Sequence, residues 1–525
     1  MGRPAPHCLH FLVGAAASHA LGFALRSRTI ISAKTCSLVG NRLIFAALRQ
    51  KRLSMRVLFA TPEMSDFVQT GGLAAVSAAL PRALKTLADV RIVIPGYADV
   101  LRRLQPLQTI ANCEALAGLP ACTVLRSLTR DGLNVYVVQC AELYERDGGI
   151  YTDHNGRDWP DNDIRFARFS SVAAALAAGK LDQDWSADLV HANDWQSALV
   201  AAYLQWNGWQ IPSLLTIHNL AFQGLFDRES LGRINAPDSA FHIDGLEFYG
   251  KVSFLKAGLS YSTHLTTVSE TYAREITTAE QGCGLEGLLR RRAEARQLTG
   301  ILNGIDESWD PSACPDLVQP FASGFWEEKR KNANHLRKEF GLAVSRGPLF
   351  GLVARLVHQK GVDLVLAAAE TIVRAGGQII VTGKGDPSLE QGLLEARRRR
   401  PDAIAVAIRF DSGEARRIFA GSDFTMMPSR FEPCGLSQMY AQRFGSLPIG
   451  RKTGGLAETI TDGQTGFLFP DASPESFLSG IVRAFATYGS KRSLYRMRES
   501  AMAQTFSWTK SASSYGAIYR NLTAA

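Results

Sequence analysis

From residue 56 onward, short apolar runs rich in β-branched residues alternate with stretches of helical periodicity. The strand-like runs fall at 57–60, 92–94, 135–138, 189–190, 214–217 and 265–268. A polar stretch at 311–347 separates these from a second series at 349–354, 379–382, 404–410, 424–427 and 447–449. Continuous apolar strands separated by helices predict a parallel sheet covered on both faces. Residues 362–375 predict such a covering helix: Val362, Val365, Leu366, Ala369, Ile372 and Val373 share one stripe, and Gly376 with Gly377 ends it. Two doubly wound α/β domains follow from the two series.

In open parallel sheets, ligands bind beyond the carboxyl ends of strands, where loops and helix N-termini present N–H groups. Polar residues stand at these places. Gln69, Thr70, Gly71 and Gly72 follow the first strand, His191 to Trp195 the fourth, His218 and Asn219 the fifth, and Arg430 to Gly435 a late strand of the second series. The paired glycines suit close approach of an anion to the backbone, or simply a tight turn. His191 reads as a structural histidine, and its segment draws attention to Asp194 instead. Arg355 and Lys360 flank the turn between a strand and a helix, and a forked guanidinium with a compact ammonium suits a diphosphate. Gly383-Lys384-Gly385 hints at a dinucleotide fingerprint but lacks its third glycine, which weakens an oxidoreductase reading.

A chain of 525 residues exceeds what one core usually serves, which agrees with two domains. Its net charge of +9 does not indicate a nucleic-acid partner, because eight basic and no acidic side chains lie in the first 55 residues. The remainder is nearly neutral. The eight cysteines follow neither C-x-x-C nor Cys/His metal spacing, so a reduced compartment is expected, with every cysteine but Cys434 a small buried apolar residue. Residues 1–54 form an N-terminal extension with three readings. Translation beginning at Met55 is the leading one, a transit peptide the second, and a secretory or anchoring segment the third. A cytoplasmic protein is expected, or one in a plastid or another organelle if the extension is a transit peptide. No membrane association is expected.

Several segments together resemble the bacterial glycogen synthase and plant starch synthase family. They are Val68 to Leu73, His191 to Gln196, Thr216 to Gly224, Gly300 to Asp306, Ala354 to Gly361, Ser429 to Gln438, Thr453 to Thr459, and the closing Phe506-Ser507-Trp508. Glu432-Pro433-Cys434-Gly435 is the most specific. The resemblance runs from about Met55 to the C-terminus. It implies the GT-B glycosyltransferase fold, two Rossmann-like domains facing across a cleft. In that reading 55–310 forms the acceptor-side domain with part of the donor site, 311–345 a connection, 346–500 the nucleotide-sugar domain, and 501–525 a helix crossing back.

The resemblance implies transfer of glucose from ADP-glucose to the non-reducing end of an α-1,4-glucan with retention, using neither metal nor cofactor. The partners are then a nucleotide sugar and a glucan acceptor. It assigns His218, Arg355, Lys360 and Glu432 to catalysis. It assigns Gln69, Gly71, Gly72, Asp194, Asn219, Asn303, Phe410, Cys434, Gly435, Leu436 and Ser437 to the donor, with Phe410 matching an aromatic that stacks on the base. Attack assisted by the leaving phosphate demands no second carboxylate beside Glu432, unlike a retaining glycosidase. Two departures stand out: Gln69 replaces the family lysine, and Ala75 an aspartate. They leave open a glycosyltransferase with altered donor or acceptor, and a weakly active glucan-binding relative. Arg355, Lys360, His218 and Glu432 favour an enzyme.

Overall fold

The computed structural model describes residues 55–524, so the expectations for residues 1–54 lie outside the described residues. The first domain holds β1 (Arg56–Ala60), β2 (Asp89–Pro95), β3 (Gln108–Cys113), β4 (Cys122–Leu128), β5 (Asn134–Gln139), β6 (Leu189–Asn193) and β7 (Ser213–Ile217). It continues through β8 (Leu225–Phe226), β9 (Glu247–Phe248), β10 (Lys251–Ser253), β11 (His264–Thr267) and β12 (Leu298–Gly300). Nine of these strands form one sheet in the order β12-β11-β7-β6-β1-β2-β5-β4-β3, while β8, β9 and β10 make a small antiparallel sheet. The second domain is a six-stranded sheet of order β15-β14-β13-β16-β17-β18, from β13 (Leu349–Val353), β14 (Gln378–Thr382), β15 (Ile404–Ala407), β16 (Phe424–Met427), β17 (Leu447–Arg451) and β18 (Phe467–Phe469).

Every strand run read from the sequence is a strand, and the central ones are buried along their length because helices cover both faces. Two differences have local causes. The run at 404–410 pairs only to Ala407, because Asp411 turns the chain to cap the helix Ser412–Gly421, its Oδ1 accepting from the Glu414 amide at 2.5 Å. The β3–β4 hairpin escapes apolar patterning because β3 is a polar, largely exposed edge strand, and it pairs antiparallel. Of the cysteines expected to be buried, Cys122, Cys140 and Cys314 are, whereas Cys113 is half-buried and Cys283 exposed on a left-handed backbone (φ 51°).

The C-terminal helix Trp508–Ala524 lies on the first domain, where the Tyr519 hydroxyl meets His191 Nδ1 at 2.7 Å and the Ser511 hydroxyl donates to the Leu302 carbonyl at 2.6 Å. The domains meet along one seam. Ser269 Oγ donates to the Pro433 carbonyl at 2.6 Å, and Glu275 accepts from Thr453 Oγ1 and the Gly454 amide, each at 3.0 Å. Beneath them Val268, Cys434 and Met439 pack with Leu302, Ile305, Leu436 and Phe506. Among the described residues no helix is long and apolar enough to cross a membrane.

Candidate active site

Strand order fixes where the site lies. β1 pairs with β2 on one side and β6 on the other, and β13 pairs likewise with β14 and β16, so each sheet reverses its winding there. Loops diverge at such points and leave a crevice at the strands' carboxyl ends. The two crevices face each other: the Arg355 guanidinium lies 5.8 Å from the Phe222 ring, and Leu436 Cδ1 stands 3.8 Å from where a Cβ on Gly72 would sit. Farther along, a cavity of about 360 Å³ is lined from the first domain by Ala221, Tyr272 and Cys283 and from the second by Arg430, Phe431 and Arg451.

On the first domain, the glycine turn meets an anion from its own chain. Glu63, 3% exposed, accepts from the amides of Thr70 at 2.6 Å and Gly71 at 3.2 Å and from the Tyr151 hydroxyl at 3.3 Å. Burial raises its pKa, while these donors and the Arg355 charge pull it down. The amides of Thr70 and Gly71 are thereby already engaged. Gln69 is exposed at the lip of the turn, and Gly72 opens the helix Gly72–Leu84.

At the end of β6, Asp194 adopts a left-handed backbone (φ 57°), a conformation that Asp tolerates better than most residues. Its Oδ1 accepts from the amides of His218 at 2.8 Å and Asn219 at 3.3 Å, which shapes the loop after β7. Burial pushes the Asp194 carboxyl up to about 7 against these two donors, and the Glu63 charge adds to the rise. Asn193 gives its side-chain amide to the Ala60 carbonyl at 3.0 Å, so its Oδ1 faces His218 Nε2 at 3.0 Å. His218 Nε2 therefore carries the proton, and Nδ1 keeps a lone pair. Desolvation lowers the His218 pKa to about 3 and keeps the ring neutral. His191 is wholly buried between Tyr519 and Thr216 Oγ1 (2.6 Å), the structural role its sequence suggested.

On the second domain, Lys360 Nζ contacts Glu432 Oε2 at 2.5 Å, and Ser429 Oγ donates to the same oxygen at 2.9 Å. Lys360 ends a short turn closed by Gly361 (φ 66°), where a Cβ would lie 2.0 Å from the Pro428 carbonyl, so only glycine lets the cation loop rest on the Glu432 loop. Gly454 does the same from behind, since a Cβ there would lie 1.9 Å from the Glu432 carbonyl. Arg430 is tied to Asp363 at 2.7 Å. Among the described residues Arg355 makes no ion pair and faces the cleft.

Not every residue assigned to the donor reaches the cleft surface with its side chain. The Cys434 thiol is buried in the domain seam, and burial pushes its pKa up to about 12. Asn303 is buried there too, its Oδ1 without a partner among the described residues. Gly435 and Leu436 line the turn into the helix Ser437–Arg443, where Ser437 Oγ donates to the Val353 carbonyl at 3.3 Å. Phe410 is 68% exposed beyond β15, which removes a core role and leaves a ring face free. Sequence reading passed over Glu63 and Tyr151. Glu63 carried a usable signal, an acid three residues past a core strand, whereas Tyr151 lies in a long connection without periodicity.

The family described as "Starch synthase catalytic domain" matches residues 56–291, and "Glycosyl transferases group 1" matches 347–487. The chain is 67% identical over 461 residues to glycogen synthase 1 of Bradyrhizobium diazoefficiens, covering 88% of this chain and all of that one. Against the Pseudomonas aeruginosa glycogen synthase it is 51% identical over 467 residues, covering 89% and 91%. The solved catalytic domain of Starch Synthase IV from Arabidopsis thaliana, bound to ADP and acarbose, superposes with a TM-score of 0.81 at 31% identity over 90% of this chain and 100% of that one. Sucrose-phosphate synthase from Thermosynechococcus elongatus shares the fold, with a TM-score of 0.56 at 18% identity over 90% and 99%. With opposed switch points of GT-B form and relatives that match nearly their whole length, the chain belongs to the glycogen and starch synthase family of glucosyltransferases.

Proposed function

We propose that this chain takes its glucosyl unit from ADP-glucose and adds it, with retention, to the non-reducing end of an α-1,4-glucan held by the first domain. The observation that carries the reading is the Lys360–Glu432 contact, with Arg355 five residues earlier in the same strand-to-helix turn and facing the cleft. It sets two cations where a departing diphosphate needs charge neutralised, next to a carboxylate suited to sugar hydroxyls. His218, neutral and with Nδ1 free to accept, orients a hydroxyl of the transferred glucose without adding charge. The exposed Phe410 ring offers a face for the base. The choice of ADP-glucose is supported by ADP in the starch synthase relative.

Purified full-length protein, glycogen and radiolabelled ADP-glucose or UDP-glucose in parallel provide the test. Incorporation from ADP-glucose at well above the UDP-glucose rate is expected. Equal or preferred use of UDP-glucose would overturn the donor assignment.

A further inference from the structure

Far from the cleft, the outer edge of the first sheet carries a pair of cysteines that the transfer reaction does not use. Cys113 ends β3 and Cys122 opens β4, and the two are direct register partners across the antiparallel pair. Such partners point to the same face with Cβ atoms about 4.5–5.5 Å apart, a small adjustment from the 3.5–4.5 Å of a disulfide. Cys113 is half-buried and open to a small oxidant, while Cys122 behind it is buried.

A buried cation completes the setting. Arg168, 4% exposed on the helix Asn162–Ala177, donates Nη2 to the carbonyls of Cys113 at 2.9 Å and Glu114 at 2.8 Å. Its Nε is buried without a partner among the described residues. A guanidinium with an unspent donor beside two thiols favours a thiolate. The neighbouring Cys122 thiol and the Arg168 charge draw the Cys113 pKa down. The third thiol nearby is held apart: Cys140, one residue beyond the Thr123–Gln139 pair, points at the Ala121 carbonyl at 3.6 Å, and burial raises its pKa.

We infer that Cys113 and Cys122 form a reversible disulfide, with Cys113 the attacking thiolate and Cys122 the resolving thiol. With a hydroperoxide as oxidant, Cys113 sulfur takes the terminal oxygen to give a sulfenic acid and release the alcohol, or water from hydrogen peroxide. Cys122 sulfur then attacks Cys113 sulfur, the S–S bond forms, and the hydroxyl leaves as water with the Cys122 proton. Two thiols lose two electrons in all, and a dithiol returns them. The bond staples the sheet's edge strand and closes the 114–121 loop, whose Gly118 amide donates to the Arg233 carbonyl at 3.1 Å.

Both cysteines lie in one tryptic peptide, residues 104–126, and Cys140 in another. Reduced full-length protein is treated with hydrogen peroxide, alkylated with iodoacetamide and digested, and the peptide is weighed. The expected result is a peptide two hydrogens lighter with no alkyl group, which takes up two after dithiothreitol, while Cys113→Ser leaves Cys122 alkylatable. Two alkyl groups after peroxide, added oxygen at Cys113 without a cross-link, or a Cys122–Cys140 link would each overturn the assignment.

Discussion

Replacing Lys360 with Met separates the two things its ammonium does. The methionine keeps most of the stem's volume, so little cavity forms, but Glu432 loses its cation. That carboxylate is 5% exposed and retains only the Ser429 hydroxyl among its described partners. Breaking a buried pair costs about 3–5 kcal/mol. Lys360 is 18% exposed, so water reaches the pair from its side and the lower end, about 3 kcal/mol, applies. Turnover should fall at least about 100-fold, near 2.7 kcal/mol of lost stabilisation for the departing diphosphate. Adding Glu432→Gln removes the stranded charge, so the double variant should regain most of the stability and none of the activity. Urea unfolding and initial transfer rates on the wild type, both single variants and the double variant measure each part. Near-normal turnover in Lys360→Met, or a double variant no more stable than Lys360→Met, would refute the reasoning.

Gln69→Lys places an ammonium at the exposed lip of the glycine turn and should lower the KM for ADP-glucose about tenfold, the worth of one recovered charge-assisted bond; steady-state kinetics with both donors check it, and no gain with either means the site is built for an uncharged side chain there. Asp194→Asn keeps an acceptor for the His218 and Asn219 amides and tolerates the left-handed backbone, so it should fold with near-native stability, whereas Asp194→Ala should lose about 2–3 kcal/mol in urea unfolding. His191 has its pKa lowered to about 3 by burial, so its contribution is complete above its ordinary value of 6.5 and fades as pH falls toward 3. His191 should account for about 3 kcal/mol of the stability lost between pH 6.5 and 4, beside a like share from the buried His218, so His191→Gln should make that limb of the stability-against-pH curve shallower by about half.

The parallel strands were legible because each is buried on both faces and is written as an unbroken apolar run, as at Val57 to Ala60. The β3–β4 hairpin was not, since an edge strand such as Gln108–Cys113 answers to pairing more than to burial. The placement of Arg355, Lys360, His218 and Glu432 just beyond the strands was readable because loop position and side-chain chemistry coincide there. Glu63 was hidden because its partners are amides brought back by the following turn, a relation that no spacing records. For Cys434 and Asn303 the motif gave the neighbourhood, but only packing of the two domains shows their side chains turned into the seam.

The central claim is extension of a glucan at its non-reducing end, and the most direct measurement is where labelled glucose lands. Glycogen incubated with the protein and ADP-[14C]glucose is digested with β-amylase, which removes maltose from non-reducing ends through α-1,4 bonds. The account predicts that nearly all incorporated label is released as maltose. Label that resists β-amylase, or no incorporation while ADP-glucose is hydrolysed, would contradict it.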